Sequence, residues 1–262
     1  LFRSKQRIFW MKKRYRSIFI SDIHLGTNDC KAEMLCNFLK TNTANTTYLV
    51  GDIVDGWKIQ KNKWKWKKSH TNVIRHLLNH SKKGTRIVYV AGNHDEFLRP
   101  MVPYGISFGK IEICNKIDHI GMDGKRYLVI HGDMFDGITK LAPWLGFLGD
   151  TAYDFLLSLN NKYNWLRHKF GFGYWSFSKY LKHKVKSAVD FIFQFEKNIT
   201  EYCKRKFYDG VICGHIHNAE IKNSDGIIYM NCGDWVESCT ALVEHFDGTF
   251  EIIHWFDLNT EE

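Results

Sequence analysis

Five short apolar runs in this chain each end in a loop built from Gly, Asp, Asn and His, and this repeated pattern limits the possible folds more than any other feature. The runs cover residues 17–20, 47–50, 86–91, 127–130 and 211–213. Each has the length and composition of a buried strand that is followed by a polar loop. Helical patterns over residues 31–40 and 69–81 separate the early strands. Strands that alternate with helices predict a layered α/β fold.

The loops after these strands carry side chains of the types that bind transition metals. Together they offer seven candidate metal ligands, which are Asp22, His24, Asp52, Asn93, His131, His215 and His217. In sheets of this kind, ligands gather at the carboxyl ends of the strands. A mixed set of imidazole nitrogens and carboxylate or amide oxygens suits manganese, iron, zinc or cobalt better than calcium.

Each of these motifs taken alone has an ordinary explanation. A single Asp-x-His triplet is typical of a surface loop, and a single histidine after a strand is typical of a hydrogen-bonded structural residue. Five strand ends that all terminate in ligand-type residues are a poor match to chance. The sequence therefore predicts a metal centre at the carboxyl ends of these strands.

The five loops also occur in an order that is typical of one superfamily. Their sequences are Asp-x-His, Gly-Asp, Gly-Asn-His-Asp, His-Gly-Asp and Gly-His-x-His, and they span residues 22–217. In this respect the chain resembles the calcineurin-like metallophosphoesterase superfamily. The resemblance implies a sandwich of two mixed sheets with helices on the outside, and a hydrolase that uses two divalent metal ions.

The resemblance assigns the seven ligands to two metal ions. One ion would be bound by Asp22, His24, Asp52 and His217. The other would be bound by Asp52, Asn93, His131 and His215. Asp52 would bridge the two ions, and its charge would offset the repulsion between cations roughly 3.5–4 Å apart. Such a pair lowers the pKa of a bound water, which can then attack phosphorus in line with the leaving group.

Two residues that follow the ligand Asn93 are the predicted catalytic residues. The resemblance assigns His94 to stabilisation of the transition state or protonation of the leaving group. Asp95 is expected to accept a hydrogen bond from His94 and to orient it, as carboxylates do for other functional imidazoles.

Two further motifs are similar to those of the UDP-2,3-diacylglucosamine hydrolases of lipid A synthesis. Residues 51–57 extend the Gly-Asp motif to Asp55 and Trp57, and residues 231–237 contain Gly-Asp-Trp ending at Trp235. This resemblance implies a manganese enzyme that splits a pyrophosphate into UMP and a diacylglucosamine 1-phosphate. The best-known members of that branch have Arg at the position of His94, which leaves the exact substrate open. Trp57 and Trp235 are equally compatible with a role in the core.

Residues 134–207 interrupt the rhythm of strands and loops. They are rich in aromatic residues and lysines, and their patterns are closer to helical periodicity. They predict a helical cap insertion between two parts of a metallophosphoesterase core, residues 11–133 and 208–258. Interleaved aromatic and basic residues suit a lipid substrate or an anionic membrane surface. A helical hairpin that packs on the core with a solvated basic face is the alternative.

The net charge of the chain favours anionic partners. The 262 residues include 37 Lys and Arg against 28 Asp and Glu, a formal charge of +9. A phosphorylated small molecule or glycolipid is the expected substrate, with peripheral contact to an anionic membrane as an option. A metallophosphoesterase acting on nucleotides, phosphodiesters or phosphoproteins is an alternative. A nucleic-acid-binding protein or nuclease is another, although nucleic acid is not the expected partner.

The remaining features predict a cytoplasmic protein. Seven cysteines without framework spacing indicate reduced thiols. No apolar run approaches the roughly 18 residues of a membrane span. Residues 1–16 lack the apolar stretch and cleavage site of a signal peptide, and Met11, just before the first strand, is an expected start.

Overall fold

The five apolar runs all form strands in the computed structural model. The structure describes residues 12–61, 63–105, 107–108, 110–136 and 177–255, without the side chains of residues 107–108 and 177–188. The described strands are β1 (Lys13–Ile20), β2 (Asn42–Val50), β3 (Arg86–Val90), β4 (Ser107–Phe108), β5 (Ile111–Cys114), β6 (Lys116–Ile120), β7 (Arg126–Ile130), β8 (Gly210–Cys213), β9 (Glu220–Ser224), β10 (Ile227–Asn231), β11 (Thr240–Glu244) and β12 (Phe250–His254). The described helices are α1 (Ala32–Thr41), α2 (Gly56–Gln60), α3 (Lys68–Lys82) and α4 (Phe177–Arg205), with 3₁₀ segments at Glu96–Tyr104 and Asp133–Phe135.

These strands form two mixed sheets. The first has the spatial order β12-β11-β1-β2-β3-β5-β4, and the second has the order β6-β7-β8-β10-β9. Neighbouring strands from β1 to β3 and on to β5 run parallel, whereas β11 runs antiparallel to β1. In the second sheet β8 is parallel to both β7 and β10, and the edge strands are antiparallel. The predicted two-sheet sandwich with flanking helices is therefore confirmed.

Apolar side chains fill the space between the two sheets. Because side chains alternate along a strand, Phe19 of β1 points to the opposite face from its neighbours. Its ring stacks on Tyr48 of β2 at a centroid distance of 4.7 Å. Both belong to a buried cluster that also contains Tyr127 and Ile212 from the second sheet. This cluster holds the sheets together face to face.

The other face of the first sheet is covered by α1 and α3. Leu35 and Phe38 of α1 and Leu77 of α3 are buried in one cluster with Ile18 and Ile20 of β1. In α1 these apolar residues recur at helical spacing, so one stripe of the helix packs on the sheet while the opposite side stays polar. The strand ends that carry the predicted ligands are thereby held by packing on both faces.

The predicted cap lies largely outside the described residues. The chain divides into two compact units, one formed by residues 1–134 and 199–262 and the other by residues 135–198. Of residues 134–207, the structure describes 134–136 and 177–207, so the helical character and role of the whole cap stay predictions. Among the described residues, no helix combines the length and apolar character needed to span a bilayer.

A buried ion-pair cluster also lies between the sheets. The carboxylate of Glu244 on β11 is 2.9 Å from His119 Nε2 on β6, and it accepts a hydrogen bond from Arg16 on β1. The backbone N–H of Met122 donates to the same carboxylate at 3.0 Å, and Tyr48 Oη lies 3.1 Å from the other ring nitrogen of His119. Burial by itself raises the pKa of Glu244, but these partners outweigh it and lower the pKa from 4.5 to about 2.

This cluster predicts a specific loss of stability in acid. Because the pKa of Glu244 is lower in the folded state, its contribution is present above pH 4.5 and is lost as the pH falls towards 2. The shift corresponds to about 3 kcal/mol. Glu244→Gln is expected to destabilise the protein by about that amount at pH 7, and the difference from wild type should shrink by roughly half at pH 3. Urea unfolding at both pH values measures this, and a difference that does not change with pH contradicts it.

Candidate metal centre

The loops after β1, β2, β3, β7 and β8 carry the predicted ligands to the same end of the two sheets. Backbone hydrogen bonds tie these loops to each other. The N–H of Asp22 donates to the Gly51 carbonyl at 3.0 Å, and the N–H of His24 donates to the Asp52 carbonyl at 2.9 Å. From the second sheet, the N–H of Gly214 donates to the carbonyl of His131 at 3.0 Å. The spacing between the loops is therefore set by the backbone.

The first group of ligand atoms surrounds the Asp22 carboxylate. His217 Nε2 lies 3.1 Å and His24 Nε2 lies 4.0 Å from Asp22 Oδ1. The same His24 nitrogen is 3.9 Å from Asp52 Oδ2. Potential ligand atoms of Asp22, His24 and His217 all lie within 4.8 Å of one another. The structure thus brings together the four residues that were predicted for one metal ion.

The second group surrounds the Asp52 carboxylate. His131 Nε2 lies 3.4 Å from Asp52 Oδ2 and 3.2 Å from Asn93 Oδ1. The rings of His131 and His215 meet edge to face at a centroid distance of 5.0 Å, and Asp52, His131 and His215 offer ligand atoms within 4.8 Å of one another. These are the residues predicted for the other ion. Asp52 Oδ2 is close to both groups, as a bridging carboxylate requires.

His131 is oriented by the backbone of the neighbouring strand. Its Nδ1 lies 2.9 Å from the carbonyl oxygen of Val50. Since a carbonyl only accepts, Nδ1 carries the proton and donates. This leaves Nε2 to face Asp52 and Asn93, the arrangement in which a histidine commonly binds a metal.

Two motif glycines make room for the carboxylates that are predicted to bind metal. A Cβ atom at Gly92 would lie 2.2 Å from Asp52 Oδ1, and one at Gly214 would lie 2.4 Å from Asp22 Oδ2. Such distances are impossible for any other residue unless the carboxylates move. The glycines of Gly-Asn-His-Asp and Gly-His-x-His are therefore explained by close approach to the ligands of the opposite loops.

The backbone at the centre is strained. Five of the seven predicted ligands have a positive φ between 52° and 72°, namely Asp22, His24, Asp52, His215 and His217. This left-handed conformation is uncommon for residues other than glycine and costs on the order of 1–3 kcal/mol for each residue. Strain of this kind persists only where surrounding contacts enforce it, and it is concentrated at functional sites.

The charges of the centre suit metal binding. Burial raises the pKa of Asp22, but His217 and His131 outweigh that effect and hold it at about 2. The pKa of Asp52 is also well below its usual value, because His131 and His24 outweigh its burial. In turn, although burial lowers the pKa of both histidines, Asp52 raises that of His131 to about 10 and Asp22 raises that of His217 to about 9. A cation that replaces these imidazole protons keeps the carboxylates paired, so metal binding releases protons.

A buried carboxylate oxygen provides a test of whether the residues fit a metal ion. Asp22 Oδ1 is inaccessible to solvent and makes no hydrogen bond within the described part of the chain. His217 Nε2 lies 3.1 Å away but outside hydrogen-bond geometry. A buried carboxylate oxygen is destabilised without a donor or a cation, and a metal ion in place of the imidazole proton would satisfy it. Together with the imidazoles around it, this oxygen fits a divalent cation. The donor set does not distinguish between manganese, iron, zinc and cobalt.

His94 lies at the edge of the same centre. Its Nε2 is 3.9 Å from Asp52 Oδ2, and its Nδ1 is 3.3 Å from Asp55 Oδ1, at ion-pair distance but without hydrogen-bond geometry. Trp57 covers one face of the His94 ring at a centroid distance of 4.0 Å. Although burial lowers the pKa of His94, the Asp55 and Asp52 carboxylates outweigh it and raise that pKa. His94 is therefore placed to deliver a proton or positive charge next to the metal centre.

The prediction that Asp95 accepts a hydrogen bond from His94 was wrong. The Asp95 carboxylate is fully buried and accepts hydrogen bonds from the backbone N–H groups of Ile53 and Val54 at 3.0 and 2.8 Å. The hydroxyl of Tyr89 donates to it at 2.8 Å. Asp95 thus fixes the loop that follows Asp52, and its two oxygens accept hydrogen bonds from the N–H groups of that loop.

Asp55, rather than Asp95, is the carboxylate that lies next to His94 Nδ1. Besides its contact with His94, its Oδ2 lies 3.8 Å from His24 Nδ1, and its Oδ1 accepts a hydrogen bond from the backbone N–H of Lys58 at the start of α2. Ligand atoms of His24, Asp55 and His94 form a third group within 4.8 Å of one another. The sequence identified Asp55 only as part of an extended motif. The Gly-Asp-x-x-Asp spacing was the available signal for its proximity to His24 and His94.

The two tryptophans of the extended motifs have different environments. Trp235 is completely buried and packs on Phe38 at a centroid distance of 5.5 Å. Trp57, by contrast, is 38% exposed beside His94. The core role that the sequence left open for both tryptophans therefore holds for Trp235 and not for Trp57.

Comparison with solved structures gives only distant likenesses. An archaeal phosphodiesterase is 14% identical, over 90% of this chain and 98% of that one, with a TM-score of 0.41. The phosphoesterase Yfce from E. coli is 14% identical, over 91% and 98% of the chains, with a TM-score of 0.43. Vps29 from Entamoeba histolytica, in complex with zinc, is 14% identical over 90% and 96%, with a TM-score of 0.36. At these scores the likenesses carry no argument about this chain.

The comparison with protein families gives a match that covers most of the chain. No curated protein matches the chain significantly. The family model for calcineurin-like phosphoesterases matches residues 15–219, which is most of the chain and includes every predicted ligand. The chain therefore belongs to the calcineurin-like phosphoesterase family and is a metal-dependent hydrolase.

Proposed function

We propose that this hydrolase binds two divalent metal ions and cleaves a phosphoanhydride in UDP-2,3-diacylglucosamine or a similar nucleotide-linked glycolipid. The products would be UMP and a diacylglucosamine 1-phosphate. The observation that carries the dinuclear part of the proposal is the position of Asp52 Oδ2, which lies 3.9 Å from His24 Nε2 and 3.4 Å from His131 Nε2. One carboxylate is thus within reach of both groups of ligands.

The residues of the chain have distinct roles in this proposal. Two bound cations would activate water and neutralise charge on the phosphate. Asp22, His24 and His217 would hold one cation, Asn93, His131 and His215 would hold the other, and Asp52 would contact both. His94 would donate a proton to the leaving oxygen or stabilise its negative charge. Asp55 would keep His94 protonated and oriented, since it is the carboxylate closest to His94 Nδ1.

The substrate class rests on the two extended motifs and on charge. Residues 51–57 and 231–237 are similar to those of the UDP-2,3-diacylglucosamine hydrolases, and the formal charge of +9 favours an anionic substrate or an anionic membrane surface. Trp57 leaves part of its ring exposed beside His94, where an apolar part of a substrate could pack. Manganese is the proposed metal because that branch uses it.

One residue favours a second candidate function. His94 stands where the best-known lipid A enzymes have Arg, and it is the residue of the wider superfamily. A metallophosphoesterase that acts on nucleotides or simple phosphodiesters is therefore the alternative. The two functions differ in whether the acyl chains contribute to recognition.

A comparison of substrates in the presence of manganese separates these functions. Turnover is measured with UDP-2,3-diacylglucosamine, uridine diphosphate, p-nitrophenyl phosphate and bis-p-nitrophenyl phosphate. We expect kcat/KM for the acylated substrate to exceed the others by about 10²-fold or more. Equal or faster hydrolysis of the substrates without acyl chains would overturn the glycolipid proposal and support the alternative. Absence of turnover with all four would overturn both.

A further inference from the structure

The loop between β10 and β11, residues 232–239, contains the Gly-Asp-Trp motif, and neither the core nor the metal ligands account for all of it. Trp235 is a core residue, but the motif continues to Glu237 and Ser238. These two residues line a cleft of about 390 Å³ together with Asn218, His254 and the predicted metal ligand His217. Small-molecule sites typically have volumes of about 300–1,000 Å³. The cleft therefore has the size of a site for a small group that is adjacent to the metal centre.

The wall of this cleft is rigidly built. The Asp234 carboxylate is buried and accepts hydrogen bonds from the backbone N–H groups of Val236 and Glu237. The hydroxyl of Ser238 also donates to it, at 2.7 Å. A carboxylate that gathers this many donors fixes the position of the following residues. Glu237 and Ser238 are consequently held in place before any ligand arrives, which is the usual condition for specific recognition.

The same loop is joined directly to the metal centre. The backbone N–H of Trp235 donates to the carbonyl of the ligand Asp22 at 3.0 Å. The hydroxyl of Ser21 donates to the Gly233 carbonyl at 2.8 Å. A Cβ atom at Gly233 would lie 2.0 Å from Thr240 Oγ1, so the motif glycine is required for this close packing. The distance between the cleft and the predicted metal ligand Asp22 is therefore fixed by the fold.

The chemistry of the cleft differs from that of the protein as a whole. The chain carries a formal charge of +9, but the described residues that line the cleft include no Lys or Arg. Glu237 offers two acceptor oxygens, Ser238 offers lone pairs because its proton is used on Asp234, and Asn218 offers both donors and acceptors. This set disfavours a second phosphate and an acyl chain. It suits a neutral group with several hydroxyls, since a carboxylate can accept hydrogen bonds from two adjacent hydroxyls.

We infer that the cleft beside His217 binds the hydroxylated sugar that is attached to the phosphate on the metals, with Glu237 as its principal recognition residue. This inference rests on the proposed function, because it assumes that the substrate joins a phosphate to a sugar. Two sugars of a nucleotide-linked glycolipid carry free hydroxyls. The ribose of the nucleotide has an adjacent pair, whereas the 2,3-diacylated amino sugar keeps hydroxyls that are not adjacent. The test distinguishes between them.

The test is equilibrium binding to the manganese-loaded protein, measured by calorimetry with uridine 5′-monophosphate, N-acetylglucosamine 1-phosphate and inorganic phosphate. Glu237→Gln retains the shape of the side chain and lies on the surface, so it should fold. We expect it to weaken binding of one of the two sugar phosphates by about 10–100-fold, the effect of losing a hydrogen bond to a charged group. Affinity for inorganic phosphate should change less than about twofold, since that ligand does not reach the cleft.

The matched control is Glu33→Gln, which removes an exposed carboxylate on α1 and should leave all three affinities unchanged. The sugar phosphate that loses affinity identifies which sugar occupies the cleft. Unchanged affinities in Glu237→Gln, or an equal loss for all three ligands, would overturn the inference. Failure of the proposed function is a separate result: it would appear as absent turnover of phosphoanhydrides, whatever the sugar phosphates bind.

Discussion

Asp52→Ala is expected to remove more than one equivalent of metal from each chain and to slow turnover by about 10³-fold or more. The reason is that Asp52 Oδ2 lies close to His24 on one side and His131 on the other. A ligand that belongs to one ion only would release one ion when it is removed. Loss of the shared carboxylate instead weakens both sites and removes several kcal/mol of transition-state stabilisation.

Metal content after dialysis, measured by mass spectrometry, tests this expectation. Asp52→Asn retains the shape of the side chain and removes its charge, so it should also lose metal. Asp29→Asn is the control, because Asp29 is exposed and is not part of any metal-binding group. An Asp52→Ala protein that is folded, retains two ions and remains fully active would rule out the bridging role.

His94→Ala is expected to retain both metal ions and to slow the chemical step by about 10²–10⁴-fold, the usual range for a positioned acid or base. His94 lies near Asp52 but is held on its other side by Asp55 and Trp57. Its removal should therefore leave the ligands of both ions in place. Single-turnover rates and metal analysis on the same samples provide the measurement.

Further results distinguish between the possible roles of His94. A proportional loss of metal and rate in His94→Ala would show that His94 is itself a ligand, as the third group with His24 and Asp55 permits. Asp55→Asn should reproduce part of the rate loss by lowering the pKa of His94, whereas it should not abolish binding of the ions. A rate that is unaffected in His94→Ala would mean that His94 is only a neighbour of the site.

The fold was largely predictable because the buried strands of an α/β sandwich are almost continuously apolar. The runs ending at Ile20 and Val50 mark the ends of β1 and β2 correctly, and the pattern over residues 69–81 agrees with α3 to within one residue at each end. The sequence Asp247-Gly248, which is typical of a tight hairpin turn, lies between β11 and β12, where Gly248 has a φ of 89°. Because both faces of these strands are buried, the strands can be recognised from the sequence alone.

Other elements left too weak a pattern for prediction. The strand β4 has only two residues, and β5 and β6 are short and largely unburied. Residues 96–104 form a 3₁₀ helix although they contain Pro100 and Pro103. The starts of β1 and β2 were also placed too late, because their first residues are polar and are held by pairing between Lys13 and Asn42 rather than by burial. Local composition does not encode such tertiary pairing.

The residues of the candidate site were predictable, but their relations to one another were not. The order of the motifs indicated all seven predicted ligands. The structure places six of them in two groups, and Asn93 Oδ1 lies 3.2 Å from His131 Nε2 of the second group. Nothing in the sequence showed that the Asp95 carboxylate accepts hydrogen bonds from the N–H groups of Ile53 and Val54. Asp55 therefore lies next to His94 in place of Asp95. The residues that contact each other here are far apart in the chain, whereas Asp95 and His94 are neighbours whose side chains the loop directs apart. Which carboxylate reaches which imidazole is therefore decided by the packing of whole loops.

The most direct test is the location of metal ions in crystals grown with manganese, determined by anomalous diffraction. We expect two peaks about 3.5–4 Å apart. One should contact Asp22, His24, Asp52 and His217, and the other should contact Asp52, Asn93, His131 and His215. A single peak, or a peak held by His24, Asp55 and His94 in place of either site, would contradict the dinuclear assignment.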